Sequence, residues 1–408
     1  MLGFDSVFQN TYFGRAISCI LNKLPNLNAR AFPVLMQTLS NILPLASAIG
    51  SMILVPDITG PYKVGTTVLE LIDFSRQDPY APTSQPRSLV VSLFYPTHDC
   101  VASNGDYKLA PQFPPQTAKI LDKTYNAPGV AENIFTRSYL NAPLAQPELP
   151  FLLYGPGLGT PRLFYSDFAA DLASYGWNVI TVDHPYDSPF VEYPDGRLVL
   201  ASESPNVDNA TMEDLLYTRV ADISFVLDSM ANSTIVSSIP GLNSTTKLQT
   251  HSAGVFGHSF GGATALQVMS NDTRFKAGAD LDGAIYGSVV EGGTDRPFLM
   301  FGRPDHNETT DPTWAAVWPN IRGLKRLYAV NGTGHYSYSD LPGFRDILGR
   351  FFPPSLEKNL GSMNGSRIMD IERAFLEALF SRYLKGSGGE LLDGKGLEMW
   401  PEVTLRMA

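Results

Sequence analysis

Cysteine is almost absent: Cys19 and Cys100 are the only two in 408 residues. A disulfide framework and a cysteine-based zinc site both need more, so thiol and iron–sulfur chemistry is not expected. Basic residues are also scarce. Thirty Lys and Arg face forty Asp and Glu, a net charge of −10, and no Lys/Arg run or basic-aromatic stripe offsets the deficit. Nucleic acid is therefore an unsuitable partner. Long apolar runs are missing too: the best, residues 32–48, is interrupted by Gln37, Thr38, Ser40 and Asn41, which makes it too polar for a membrane span. No internal repeat, low-complexity block or composition break divides the chain. What is present, 44% apolar residues, is enough for one large core.

Seven of the twenty asparagines stand in Asn-x-Ser/Thr sequons: Asn209, Asn232, Asn243, Asn271, Asn307, Asn331 and Asn364. Roughly one position in seven carries Ser or Thr, so this is two to three times chance and points to the secretory pathway and N-glycosylation. The apolar stretch 32–48 follows Arg15, Lys23 and Arg30 and ends in Ala46-Ser47-Ala48, a small-x-small cleavage pattern. Residues 1–48 are expected to be a leader and 49–408 a single domain. With the leader removed, Cys100 is a lone thiol and no intrachain disulfide is expected.

From about residue 87, short apolar runs alternate with longer amphipathic ones, the pattern of βαβ units in a mostly parallel sheet with helices on both faces. Strands are predicted at 88–95, 150–154, 178–183, 253–257, 277–281, 297–301 and 326–330. Helices are predicted at 166–175, 212–230, 262–269 and 312–318. A last helix over 368–384 carries Ile368, Ile371, Phe375, Leu379 and Phe380 on one face, a pattern suited to covering the sheet. The Pro-rich stretch 110–150 reads as a long excursion between strands of the kind that often covers a site.

Gly257-His258-Ser259-Phe260-Gly261 is the one Gly-x-Ser-x-Gly pentapeptide in the chain. Alone it is a weak signal, but it joins an apolar strand to a helix, as a nucleophile elbow requires. Flanking glycines relieve the crowding of that turn, and the helix N-terminus favours negative charge beside Ser259. A serine nucleophile needs a base near neutral pH. Of six histidines, His335 lies after the elbow and just beyond a strand; His306 competes but precedes that strand. His258 adjoins the serine and is expected to point elsewhere, while His98, His184 and His251 read as structural or solvent-facing.

Two carboxylates suit the acid that orients the imidazole. Asp282 ends one strand, 23 residues after the serine; Asp305 ends the next, 46 residues after it. Spacing does not choose between them. Asp280 sits inside its strand and reads as a buried, hydrogen-bonded carboxylate. Two backbone N–H groups must also face the developing oxyanion. Phe260, following the serine, supplies one, and Leu158 in the loop Gly155-Pro156-Gly157-Leu158-Gly159 supplies the other, by its position after an earlier strand.

These residues resemble the platelet-activating-factor acetylhydrolase family, the lipoprotein-associated type of calcium-independent phospholipase A2 with an α/β-hydrolase fold. The resemblance is carried in order by residues 60–67, 87–96, Gly157-Leu158-Gly159 with 165–176, 257–264 with Arg274-Phe275, Leu281-Asp282-Gly283 and Gly334-His335. It implies Ser259 as nucleophile, Asp282 as acid, His335 as base, and the amides of Leu158 and Phe260 as oxyanion hole. Asp305 is what the cutinase and polyester-hydrolase branch of the fold would use. One departure is visible: the family usually has histidine before Gly-Leu-Gly, where this chain has Pro156.

The expected chemistry is two-step acyl transfer to water, with no metal or organic cofactor. The resemblance implies a phospholipid or related glycerolipid ester with a short or oxidised acyl chain. A cutinase-like, polyesterase or lactonase activity on other esters keeps the same residues. So does a biosynthetic acyl transferase or cyclase, and a non-catalytic binding protein of this fold is a further alternative. Phe344, Ile347, Leu348, Phe351 and Phe352 would make an apolar surface for a lipid interface, although such a stripe is more often core. Oligomeric state is not legible.

Overall fold

The computed structural model describes residues 52–99, 107–204, 210–349 and 352–408. The expected leader, both cysteines, Asn209 and Phe351 lie outside the described residues. In chain order the strands are β1 (Ile53–Leu54), β2 (Val64–Gln77), β3 (Pro86–Pro96), β4 (Leu109–Pro111), β5 (Ile134–Leu140), β6 (Pro150–Gly155), β7 (Asn178–Asp183), β8 (Phe190–Glu192), β9 (Leu198–Leu200), β10 (Gln249–His258), β11 (Phe275–Leu281), β12 (Phe298–Gly302), β13 (Lys325–Val330) and β14 (Val403–Met407). The principal helices are α1 (Pro115–Thr124), α2 (Ser166–Ala173), α3 (Met212–Ser229), α4 (Ser233–Ser238), α5 (Phe260–Asn271), α6 (Val289–Gly292), α7 (Pro312–Val317), α8 (Leu341–Leu348), α9 (Pro354–Glu357) and α10 (Gly365–Phe380).

A twelve-stranded sheet runs β1-β5-β2-β3-β7-β6-β10-β11-β12-β13-β14, with β4 beside β5. From β7 to β13 every neighbour is parallel; β3 and β14 flank that block antiparallel. Parallel strands covered on both faces must be apolar throughout rather than alternating, which is why runs such as Phe151-Leu152-Leu153-Tyr154 and Phe298-Leu299-Met300-Phe301 read clearly as strands. Their side chains alternate between two cores. Phe298 and Met300 join the core under α3 and α5, whereas Leu299 and Phe301 join the core under α2 and α10. The result is the three-layered α/β-hydrolase arrangement, with β10 near the middle of the sheet.

All seven predicted strands are present, most extended by a residue or more at one or both ends. Helix α10 starts earlier than expected because Asn364 caps it, accepting from the Arg367 N–H at 2.8 Å. Ile368, Ile371, Phe375, Leu379 and Phe380 are all buried against the sheet; full burial of each contributes about 1.5–3 kcal/mol. Phe344 and Phe352 are buried in a third cluster with α1, and Ile347 and Leu348 pack partly against it, so most of this stripe serves as core.

Two regions differ from the sequence reading. The sheet begins before residue 87, because β2 pairs antiparallel with β3 from Val64↔Pro96 to Gln77↔Pro86. The 110–150 stretch is not simply a loop: β4 and β5 join the sheet edge, with Gly65↔Tyr139 and Ile53↔Ile134 in parallel register. These edge segments are short or only half-buried, so neither continuous apolar runs nor clean alternation marks them.

Candidate active site

Strand β10 delivers its last residues into a turn that only particular neighbours permit. Ser259 has φ 55° and ψ −122°, a sparsely populated region for a residue bearing a Cβ and a form of strain that clusters at functional sites. Its N–H donates to the Leu281 carbonyl at 2.8 Å, pinning the turn to β11. The flanking glycines are sterically required: a Cβ on Gly257 would lie 2.3 Å from the Gly261 carbonyl carbon, and one on Gly261 would lie 2.0 Å from the Gly155 oxygen. The serine hydroxyl is thereby held at the N-terminus of α5.

Asp282 directly follows β11 with φ 63°, another strained non-glycine residue. His335 follows β13 and lies between the two. Its Nε2 is 3.1 Å from Ser259 Oγ and its Nδ1 is 2.6 Å from Asp282 Oδ2. A carboxylate only accepts, so Nδ1 carries the proton and Nε2 accepts from the serine. Such a hydroxyl–imidazole–carboxylate chain can take the serine proton as the hydroxyl attacks an acyl group. Burial alone would raise the Asp282 carboxyl, but hydrogen bonds from His306 and His335, with their charge, hold it well below the usual carboxylate range.

The loop after β6 presents one N–H in particular. Gly157 N–H donates to Tyr165 Oη at 3.1 Å, Gly159 N–H to Asp187 Oδ1 at 3.3 Å, and Thr160 N–H to the Gly157 carbonyl at 3.2 Å. Among the described residues neither the Leu158 nor the Phe260 N–H has a protein acceptor. The loop carbonyls are held from behind. Arg219 donates to the Pro156 carbonyl at 2.6 Å and to Gly157 at 3.2 Å, is paired with Asp187 at 2.6 and 2.7 Å, and lies 5.0 Å from the Phe260 ring centroid.

The remaining sequence candidates are elsewhere. Asp305 does not meet an imidazole; its exposed carboxylate accepts from Arg303 Nε at 2.9 Å. Asp280 is buried and accepts from the Gly283 N–H at 3.0 Å, and burial pushes its carboxyl well above the usual range. His258 points away from Ser259. Its Nε2–H donates to the His335 carbonyl at 2.8 Å and its Nδ1 accepts from Tyr165 O–H at 2.9 Å. Burial, with the His335 ring beside it, lowers its pKa to about 3, so it is neutral. His184 is buried against Asp222 at 2.8 Å; His98 and His251 are exposed. Sequence reasoning missed Arg219 and Asp187, although Arg219 and Asp222 interrupt the apolar face of α3 formed by Leu215, Leu216, Ile223 and Leu227. Charges on a buried helical stripe were the available signal.

Comparison with known proteins points the same way as this geometry. Residues 48–206 and 236–381 match the profile of the family described as platelet-activating factor acetylhydrolase, isoform II. A probable 1-alkyl-2-acetylglycerophosphocholine esterase from Arthroderma benhamiae is 29% identical over 394 residues, covering 88% of this chain and 95% of that protein. Platelet-activating factor acetylhydrolase from Cavia porcellus is 24% identical, covering 86% and 84% respectively. A solved ferulic acid esterase from Streptomyces cinnamoneus superposes with a TM-score of 0.74 at 30% identity, covering 87% of this chain and 99% of that one.

Proposed function

The chain belongs to the platelet-activating factor acetylhydrolase, isoform II, family and is a carboxylic ester hydrolase, and on that premise we propose that Ser259, His335 and Asp282 carry out two-step acyl transfer to water. Ser259 Oγ attacks the ester carbonyl as its proton passes to His335 Nε2. Asp282 holds the imidazole through Nδ1–H, and the Leu158 and Phe260 amides receive the oxyanion. His335 returns the proton to the departing alcohol. It then activates water, which releases the acid and restores the serine. The observation that carries this reading is the continuous contact from Ser259 Oγ through His335 to Asp282, at 3.1 and 2.6 Å, on a serine held in a strained turn.

For the substrate we infer a glycerophospholipid with a short sn-2 acyl group, supported by the name and coverage of the fungal relative. The ferulic acid esterase supports a second reading, a carboxylesterase acting on non-lipid esters. Hydrolysis of 1-alkyl-2-acetyl-glycerophosphocholine, of its long-acyl counterpart and of a feruloyl ester, with calcium chelated and Ser259→Ala as blank, separates them. Acetate release alone supports the first reading, and turnover of the feruloyl ester without either phospholipid supports the second.

We further infer that residues 49–408 form one domain behind a leader, in a secreted glycoprotein. Exposure of Asn232, Asn243, Asn271, Asn331 and Asn364 supports glycosylation there, whereas Asn307, only 7% exposed, is too buried to carry a glycan. Among the described residues no helix is long and apolar enough to cross a membrane.

A further inference from the structure

His306 lies on the loop after β12, where the sequence left it as a rival base, but it has a different place in the site. Its Nδ1 is 2.7 Å from Asp282 Oδ1 and its Nε2 is 2.8 Å from Asp311 Oδ2. The ring stacks on Trp314, centroids 4.1 Å apart at 24°. A neutral imidazole owns one N–H, and ionised carboxylates own none. Two short bonds to two carboxylates are therefore both satisfied when the ring is the imidazolium, a cation that the Trp314 face also favours.

We propose that His306 is a positioning residue of the ester hydrolase: an imidazolium clamped between Asp282 and Asp311 that fixes the Asp282 carboxylate against His335. The inference rests on the Ser259–His335–Asp282 reading. Asp282 Oδ1 accepts from His306 and from the Arg303 N–H at 3.0 Å, while Oδ2 accepts from His335 and from the Arg303 guanidinium at 2.7 Å. With Oδ1 held from behind, the carboxylate cannot swing about its terminal torsion, and Oδ2 stays on the His335 Nδ1–H. The loop that bears Asp305 thus contributes a cationic support for the acid instead of an acid of its own.

The charged groups facing His306 are Asp282 just after β11, Asp311 at the start of α7 and Arg303 on its own loop, with the buried Asp280 of β11 nearby. Burial alone would lower the His306 pKa, but the hydrogen bonds to Asp282 and Asp311 raise it to about 9. Below that pH both bonds stand. Above it one N–H is lost, one carboxylate then faces a ring lone pair, and the clamp opens.

The test is kcat and KM for nitrophenyl acetate from about pH 6 to 10, with Ser259→Ala as blank, for the wild type, His306→Gln and Asp311→Asn. The wild type should lose kcat on an alkaline limb near pH 9. Asp311→Asn keeps one oxygen for the helix cap but turns an NH2 donor toward His306 Nε2 in place of the carboxylate oxygen, and should move that limb to lower pH. His306→Gln should lower kcat on the order of 10- to 100-fold with little change in KM and abolish the limb. Wild-type kcat in His306→Gln, or a wild-type profile flat through pH 10, overturns the proposal. Should His306→Gln fail to fold, 15N-histidine NMR of the wild type decides: one histidine with both ring nitrogens protonated at pH 8 is expected, and none would overturn it. Full activity in Ser259→Ala would instead remove the underlying triad reading.

Discussion

Arg219 on α3 donates to the Pro156 carbonyl at 2.6 Å from inside the protein, while the serine hydroxyl of Ser259 is bonded to His335. The loop carries proline at position 156, and a buried Arg219–Asp187 pair holds it by its backbone. A fork of donors can hold two carbonyls and a carboxylate at once, which a lysine ammonium cannot reproduce. Arg219→Met should therefore displace the Leu158 N–H and lower kcat by about 10²-fold or more, the scale of losing one oxyanion donor, with KM changing little. Arg219→Lys should recover only part of the loss. Steady-state kinetics beside a thermal melt checks this, and a folded Arg219→Met with wild-type kcat would refute it.

The assignment of the acid is separable by two isosteric changes. Asp282→Asn presents an amide where His335 Nδ1 requires an acceptor, and should lower kcat by roughly 10³- to 10⁴-fold, as losing the acid of such a triad does elsewhere. Asp305→Asn removes an exposed carboxylate that pairs with Arg303, and should stay within a few-fold of wild type. The reverse order of the two effects would transfer the acid to Asp305.

Asp167, in the first turn of α2, is buried with no hydrogen-bond donor to either carboxylate oxygen among the described residues. Burial first, and then the charge of the neighbouring Asp340, push its carboxyl well above the ordinary value of 3.8. A carboxyl whose folded pKa is raised gives its full stabilisation below the unfolded pKa and loses it as pH rises through the folded one. Asp167→Asn, which stays neutral, should raise the melting temperature relative to wild type at about pH 8 and show no such gain at about pH 4. Scanning calorimetry at the two pH values tests it; an equal difference at both would contradict the buried-charge account.

Glycan attachment is expected to follow exposure. In protein secreted from a eukaryotic host, replacing exposed Asn232, Asn243 or Asn331 by Gln should each remove one glycan mass on intact-mass measurement. Replacing the buried Asn307 should leave the mass of attached carbohydrate unchanged. A glycan found on Asn307 would mean that the loop packing around His306 is different from that described.

How much of this was legible depended on what kind of order each residue carries. The central strands could be read because burial on both faces forces runs such as Phe298–Gly302 to be nearly all apolar. Strand β2 was missed because its outer half is mostly exposed or half-buried, so its composition resembles a loop. The elbow was legible because steric need fixes Gly257 and Gly261 beside Ser259. The choice between Asp282 and Asp305 was not, since it turns on which carboxylate the His335 ring reaches across the tertiary packing, a contact that spacing along the chain does not fix. His306 carried the right chemistry for a base, and only the fold shows both of its nitrogens already occupied by carboxylates.

The most direct test of the central claim is the site at which an active-site-directed fluorophosphonate becomes attached, read by peptide mapping. The account predicts a single adduct on Ser259 in the wild type, no labelling in Ser259→Ala, and greatly slowed labelling in His335→Ala. An adduct on another serine, or undiminished labelling in Ser259→Ala, would contradict it.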